Sequence, residues 1–307
     1  MKMIKRIKYY KPYRYVIRCI NSHFPVLMAK LRFRKKFGRE LNLKDPRDLN
    51  EKILWLSLFS DTTEWSRLAD KYAVRQYVEE KGLGEILITL YDKCDKIDDI
   101  DWDVLPDSFA LKSNNGSGTV LLVNDKSKLN ITETKCLLSS WLTRFLKTET
   151  TEFHYQRIQA CIIAEELLVQ SEKEKFISET LIDYKIWCFN GEAYAIWTCS
   201  NRIGGSTEVA LFDKYWNYHP ELSIFNEHYK ECKVLPLKPE KLDYMLKVAE
   251  CLSEGFPQVR VDLYYNNNKV YFGELTFTCY GGSMDFYTQD FLIEMGNKVD
   301  LSGVKRK

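Results

Sequence analysis

The stretch VRVDLYYNNNKVYFGELTFT, residues 259–278, constrains this chain more than any other. Two runs alternating apolar and polar residues flank an asparagine-rich turn, the mark of an antiparallel hairpin. Strand side chains alternate between faces, so Val259, Val261 and Leu263 turn to a core while Arg260 and Asp262 share the other face. On the returning strand Glu274 and Thr276 share a face. With Asn267, Asn268 and Lys269 as a three-residue turn, Asp262 lies opposite Glu274 and Arg260 opposite Thr276. Opposed Cβ atoms sit about 5 Å apart, and like charges there destabilise. A divalent cation between the carboxylates reverses that sign, and magnesium is commonly held by one or two carboxylates plus water and phosphates. A two-residue turn would break this register. The competing reading is a solvated face on which Asp262 pairs with Arg260 and Glu274 with a lysine. The following CYGGS supplies small residues that let a ligand approach the backbone.

A second hairpin, LIDYKIWCFNGEAYAIWTC (181–199), turns at Asn190-Gly191. It places Asp183 and Lys185 on one face, the spacing of an ordinary surface pair. A third, FALKSNNGSGTVLLV (109–123), ends its first strand at Lys112 and turns through small polar residues. CIIAEELLV (161–169) begins as an apolar strand. Helical spacing predicts helices over 48–60, 64–81, 131–148 (with Thr132 as cap) and 238–254. The acidic stretch 92–103 reads as a connecting loop. Hairpins interspersed with helices predict an α+β fold with antiparallel sheets. Neither GxxxxGK[ST] nor a GxGxxG opening a helix is present, so a P-loop and a dinucleotide fingerprint are excluded.

Charge is distributed unevenly. Residues 1–40 hold thirteen Lys/Arg and one acid, Glu40, giving +12 against a formal +2 for the whole chain. Interleaved tyrosines make the segment suit an anionic membrane surface, with a solvated helix as the alternative. Nucleic acid is not expected, because no recognition motif accompanies the charge. Arg18, Asn21, Ser22 and His23 interrupt any signal-like apolar run. Nine cysteines without a CxxC pair predict reduced thiols in a cytoplasmic protein, and the basic segment 1–40 would place it peripherally at the inner membrane face. Four dispersed histidines give no metal cluster, and nothing suggests a Ser-His-Asp or Cys-His nucleophile.

The order of these pieces resembles the ATP-grasp superfamily. Within it, the chain is similar to the TupA-like branch, linked to teichuronopeptide and other bacterial surface polysaccharides. The resemblance runs over about residues 38–285. It rests on LNLKDPRDLNEKILWL, ADKYAVRQYVEEKG, FALKSNNGSG, DYKIWCFNG and VRVDLYYNNNKVYFGELTF. It implies an ATP-grasp fold whose antiparallel sheets clasp nucleotide, preceded by a basic helical N-terminal region (1–40). A small helical subdomain (41–105) would lead into the ATP-grasp domain (106–307), divided into a lid (106–170) and a metal and substrate part (171–307).

The resemblance also implies roles. Lys112 and Lys185 would hold ATP phosphates under a lid formed by Gly116, Ser117 and Gly118. Glu165, Glu166 and Leu168 would form the hinge strand that reads adenine. Asp262 and Glu274 would bind magnesium, with Thr276 at the position where many relatives carry the asparagine of Glu-x-Asn. Arg260 would steady the transferred phosphoryl group. Lys71 and Arg75, four apart on the expected 64–81 helix, would take a substrate carboxylate or pair with Asp70 or Glu79. Arg202, in SNRIGGS, would reach phosphate or substrate, or fix its loop. The implied reaction is ATP- and magnesium-dependent ligation of a glycan or amino-acid carboxylate to an amine. A non-catalytic scaffold or a kinase-like transferase on the same fold are the alternatives.

Overall fold

Asn267 and Asn268 both adopt left-handed backbone (φ 49° and 59°), so the last hairpin closes through a two-residue turn. The 190–191 turn does the same (φ 51° and 84°). Gly204 and Gly205 supply a third left-handed pair, between two strands not foreseen as a hairpin. These turns organise a structure, here a computed structural model, that describes residues 17, 19–116, 118–143, 150–172 and 174–307.

In chain order the helices α1 (Pro25–Phe37), α2 (Leu49–Phe59), α3 (Thr63–Leu68) and α4 (Val74–Glu80) come first. Strands β1 (Leu90–Cys94), β2 (Phe109–Ser113) and β3 (Val120–Val123) follow, then α5 (Ile131–Leu142), α6 (Phe153–Gln156) and β4 (Ile162–Glu166). The remainder runs β5 (Asp183–Phe189), β6 (Glu192–Ile203), β7 (Ser206–Asp213), β8 (Tyr229–Glu231), α7 (Leu242–Ser253), β9 (Val259–Asn266), β10 (Lys269–Thr276) and α8 (Gln289–Lys298).

The strands form two sheets, ordered β1-β4-β2-β3 and β10-β9-β5-β6-β7-β8. Every strand pairing is antiparallel except β7 with β8. The larger sheet packs one face on α7, whose Leu242, Met245, Val248, Ala249 and Leu252 recur at helical spacing and are buried. Val259, Val261 and Leu263 are fully buried with them. The smaller sheet has its own core, built on Phe109, Leu111, Ile162 and Leu138.

Several expectations need correction. The 64–81 helix is broken at residues 69–73, where the Asp70 carboxylate accepts from the backbone N–H groups of Tyr72 (2.8 Å) and Ala73 (3.2 Å). Residues 90–94, partly in the expected acidic loop, pair as a strand with β4. The α5 cap is Asn130, whose side chain accepts from the Glu133 N–H (3.1 Å), not Thr132. The expected end of that helix, at 144–148, lies outside the described residues. The helix α8 was not foreseen; its Gly296 runs against the backbone of residues 47–48, where any Cβ would collide.

Candidate active site

The face of β5, β9 and β10 turned away from α7 carries three rows of side chains. Lys185, Asp262 and Glu274 stand opposite one another across adjacent strands. The next row is Trp187, Arg260 and Thr276, and the previous one Asp183, Tyr264 and Tyr271. A two-residue turn alone would have slipped Glu274 out of register. The expected three-residue turn is absent, yet Asp262 still faces Glu274, because Gly273 forms a β-bulge between Phe272 and Glu274. A Cβ on Gly273 would lie 2.9 Å from the Asp262 carbonyl oxygen, so the bulge accepts only glycine without a shift.

The opposed carboxylates are compensated by the protein's own cations. Lys185 pairs with Asp262 and lies 3.4 Å from Asp183. Arg260 forks onto both oxygens of Asp262 (2.7 and 2.8 Å) and approaches Glu274 (3.7 Å). Lys71 reaches Glu274 Oε2 (3.1 Å). Burial alone would push the Glu274 carboxyl up, but Lys71, Lys185 and Arg260 outweigh it and hold it below the usual carboxylate range. Burial likewise opposes the charge on Lys185 and Arg260, and Asp262 reverses the effect, so both stay charged. The Thr276 hydroxyl accepts from Arg260 and donates to Glu274 Oε1, each at 3.1 Å. The reading of Asp262 and Glu274 as a repelling pair is corrected accordingly.

The smaller sheet supplies the opposite wall. Asn114 ties the loop neck, its side chain bonded to the Gln159 carbonyl (2.9 Å) and the Cys161 N–H (2.8 Å). Ser113 and Thr119 share a hydroxyl contact at 2.6 Å. Gly116 and Gly118 lie beyond that neck, and Ser117 lies outside the described residues. Because α3 and α4 are separated by the Asp70 turn, Lys71 is delivered to this loop. Its backbone N–H donates to the Asn114 carbonyl and its ammonium to the Gly116 carbonyl, both at 3.0 Å. Lys112 pairs with Glu165 (2.7 Å), which Arg75 also approaches (3.4 Å).

Between the walls lies a cavity of about 280 Å³ lined by Lys71, Lys112, Gly116, Gly118, Asp183, Lys185, Arg202, Asp262, Tyr264, Gly273 and Glu274, among others. A recess beside it, sharing Lys71, Lys112 and Gly273, is lined by Arg75, Leu87, Ile88, Glu165 and Phe272. Thus Lys71 and Arg75 pair with Glu274 and Glu165, not with Asp70 or Glu79. Asp183 and Lys185 are not a surface pair: Asp183 is 3% exposed and holds Lys185 and Arg202 in the cleft wall. Arg260 and Thr276 flank the cavity in the adjoining row. Glu166 hydrogen-bonds Thr89 (2.9 Å), and Leu168 is half-buried after β4; neither lines the two cavities. Sequence reading passed over Tyr264 and Gly273. Tyr264 was findable, since it follows Asp262 by two and so shares its face.

In the row beside Asp262, Arg260 also donates to Cys279 Sγ (2.8 Å). Burial pushes the Cys279 thiol up, so it remains protonated and is no ready nucleophile. Among the described residues no three His, Cys, Asp or Glu side chains gather as a metal group. The facing carboxylates of Asp262 and Glu274 are hard oxygen donors of the kind suited to a cation that completes its shell with phosphate and water, as magnesium does.

Two largely antiparallel sheets that bring a glycine loop and lysines over paired carboxylates define the class of fold. Residues 51–300 match the family described as TupA-like ATPgrasp, and the chain belongs to that family, with its ATP-grasp fold. Among solved structures it is similar to D-alanine–D-alanine ligase from Bacillus anthracis, with 16% identity and a TM-score of 0.46, covering 79% of this chain and 70% of that one. It is also similar to an ADP complex of N5-carboxyaminoimidazole ribonucleotide synthetase (9%, TM-score 0.45, 71% of this chain and 46% of that chain). A third is an L-amino acid ligase from Bacillus licheniformis (14%, TM-score 0.40, 70% and 41%). The chain thus spans less than half the length of the last two. No curated protein matches it.

Proposed function

We propose that this protein is an ATP- and magnesium-dependent carboxylate–amine ligase of bacterial surface polysaccharide biosynthesis. The observation that carries the reading is the cleft itself, where Lys185, Asp262 and Glu274 form one row facing Lys71, Lys112, Gly116 and Gly118. Lys71, Lys112 and Lys185 would hold the triphosphate. Lys71 is thereby reassigned from substrate carboxylate to phosphate, because it links the loop to Glu274. The 106–170 segment would act as lid and 171–307 would carry metal and substrate, with Glu165, Glu166 and Leu168 beside adenine.

Asp262 and Glu274 would hold magnesium, with Thr276 orienting Glu274 through its hydroxyl. When bound, magnesium would neutralise phosphate charge and fix the γ-phosphoryl group in line. A substrate carboxylate oxygen attacks the γ-phosphorus, the bond to the β-phosphate oxygen breaks, and ADP leaves. An amine then attacks the acyl carbon, the C–O bond to phosphate breaks, and the amine loses a proton. Arg260, held by Asp262, would balance charge on the transferred group. Arg75 and Arg202 would orient the substrates. The carboxylate partner is a glycan acid or an amino acid, supported by the family likeness alone.

One observation favours a second reading. Thr276 stands where the family resemblance implies an asparagine, and its hydroxyl is engaged by Arg260 and Glu274, as suits a nucleotide-binding scaffold. Incubation with ATP, magnesium, amino acids and uronic-acid glycans separates the readings. ADP with a new amide supports the ligase, ADP with a phosphorylated product means a kinase, and binding without turnover means a scaffold.

Localisation is part of the same proposal. Among the described residues no helix is long and apolar enough to cross a membrane. Attachment of a cytoplasmic protein to an anionic membrane face is supported by the thirteen basic residues of 1–40.

A further inference from the structure

The helix α1 has two unlike faces. Ala29 and Phe33 are buried in the main core, and Lys36 pairs with Asp285. Just beyond, Arg39 pairs with the buried carboxylates of Asp48 and Glu51. The helix is therefore fixed to the body of the protein. Its other side is apolar and open: Leu27 and Leu31 are each 53% exposed, and Phe24, immediately before the helix, is 59% exposed. Leu27, Leu31 and Arg34 follow the four-then-three spacing of a single helix side. Lys30 and Lys35 are also exposed on this helix. Single exposed apolar residues are ordinary, but a contiguous run with a charged rim marks an interaction surface.

The partner must satisfy both the leucines and the charge. Residues 1–40 carry thirteen cations against one acid, so a second copy would bring two strongly basic faces together. Nucleic acid would use the cations and leave the leucines in water. An anionic bilayer takes both. We infer that α1 lies in the plane of an anionic membrane, with Phe24, Leu27 and Leu31 inserted at the headgroup boundary. Lys30, Arg34 and Lys35 then meet the anionic headgroups. This rests on the membrane attachment proposed above and adds the inserting face. Since α1 is fixed to the core, attachment also orients the whole body on the bilayer.

Cosedimentation of the full chain with phosphatidylcholine vesicles, with and without phosphatidylserine, tests this. Wild type should bind the anionic vesicles, and the double variant Leu27→Glu, Leu31→Glu should partition about tenfold less or weaker still, with an unchanged melting temperature. Leu27→Trp should shift its emission to the blue on the same vesicles, and this variant decides if the double one does not fold. Undiminished binding of the double variant, or no shift from Leu27→Trp, overturns the inserting face while leaving electrostatic attachment. Wild type that ignores anionic vesicles at low salt overturns the attachment as well. A dimer that the double variant dissociates assigns the face to a second copy and overturns the inference.

Discussion

Asp262 stands across from Glu274 because Gly273 bulges out of β10 between Phe272 and Glu274. The bulge adds the one residue that the two-residue turn withholds, so the register of the carboxylates depends on a position with no side chain. Gly273→Ala should force the backbone apart, since its Cβ would meet the Asp262 carbonyl at 2.9 Å. The expected loss is about 1–3 kcal/mol of stability, as for other overpacked sites. Nucleotide affinity should fall with it. Thermal melts and calorimetry with ATP check both, and a variant that melts and binds like wild type removes the bulge from the account.

Lys71→Met should weaken ATP binding by about 1.5–3 kcal/mol, the range of a charge-assisted hydrogen bond. The same range is expected for Lys112→Met. Lys71 joins the Gly116 carbonyl to Glu274, so its loss should also loosen the loop, read as faster amide exchange around residues 114–118. Equal affinity in a folded Lys71→Met protein would return this lysine to the substrate side of the cleft.

Much of this site was legible because period-two alternation assigns faces without knowledge of the fold. Arg260, Asp262, Glu274 and Thr276 were grouped correctly on that ground. Alternation cannot say which face another layer covers, so Asp183 and Lys185 read as a surface pair although the cleft wall encloses them. Nor does it reveal a bulge: Gly273 looked like one more strand residue, and the register was expected from a turn that does not form. The 64–81 region shows a further limit. Its helical spacing hid the Asp70 side chain competing for backbone N–H groups, and that competition turns Lys71 into the cleft. The strand Leu90–Cys94 was missed because its acidic residues resemble a loop.

Acid should reveal how Glu274 is held. Its folded pKa lies below the unfolded carboxylate value of about 4.3. The charge therefore stabilises fully above that value and the benefit is lost as pH falls through the folded pKa. Glu274→Gln lacks the benefit at every pH. Its melting temperature in EDTA should lie below wild type at pH 7, with the gap closing below about pH 4. A variant more stable than wild type at pH 7 would mean that repulsion from Asp262 outweighs Lys71, Lys185 and Arg260.

Thr276→Val should impair turnover by leaving Arg260 and Glu274 without the hydroxyl that joins them. Thr276→Asn should retain or raise activity, because an amide supplies both a donor and an acceptor. Steady-state rates of ADP release check the pair. Thr276→Val as active as wild type would mean that the hydroxyl has no part in the site.

The most direct measurement is calorimetric titration of a non-hydrolysable ATP analogue into wild type and Asp262→Asn, with magnesium and with EDTA. The cleft described here predicts saturable binding to wild type that tightens with magnesium. It predicts that Asp262→Asn, still folded, loses the magnesium-dependent part. Binding to wild type that is indifferent to magnesium, or equal in the two proteins, contradicts the assignment of Asp262 and Glu274 to a metal–nucleotide site.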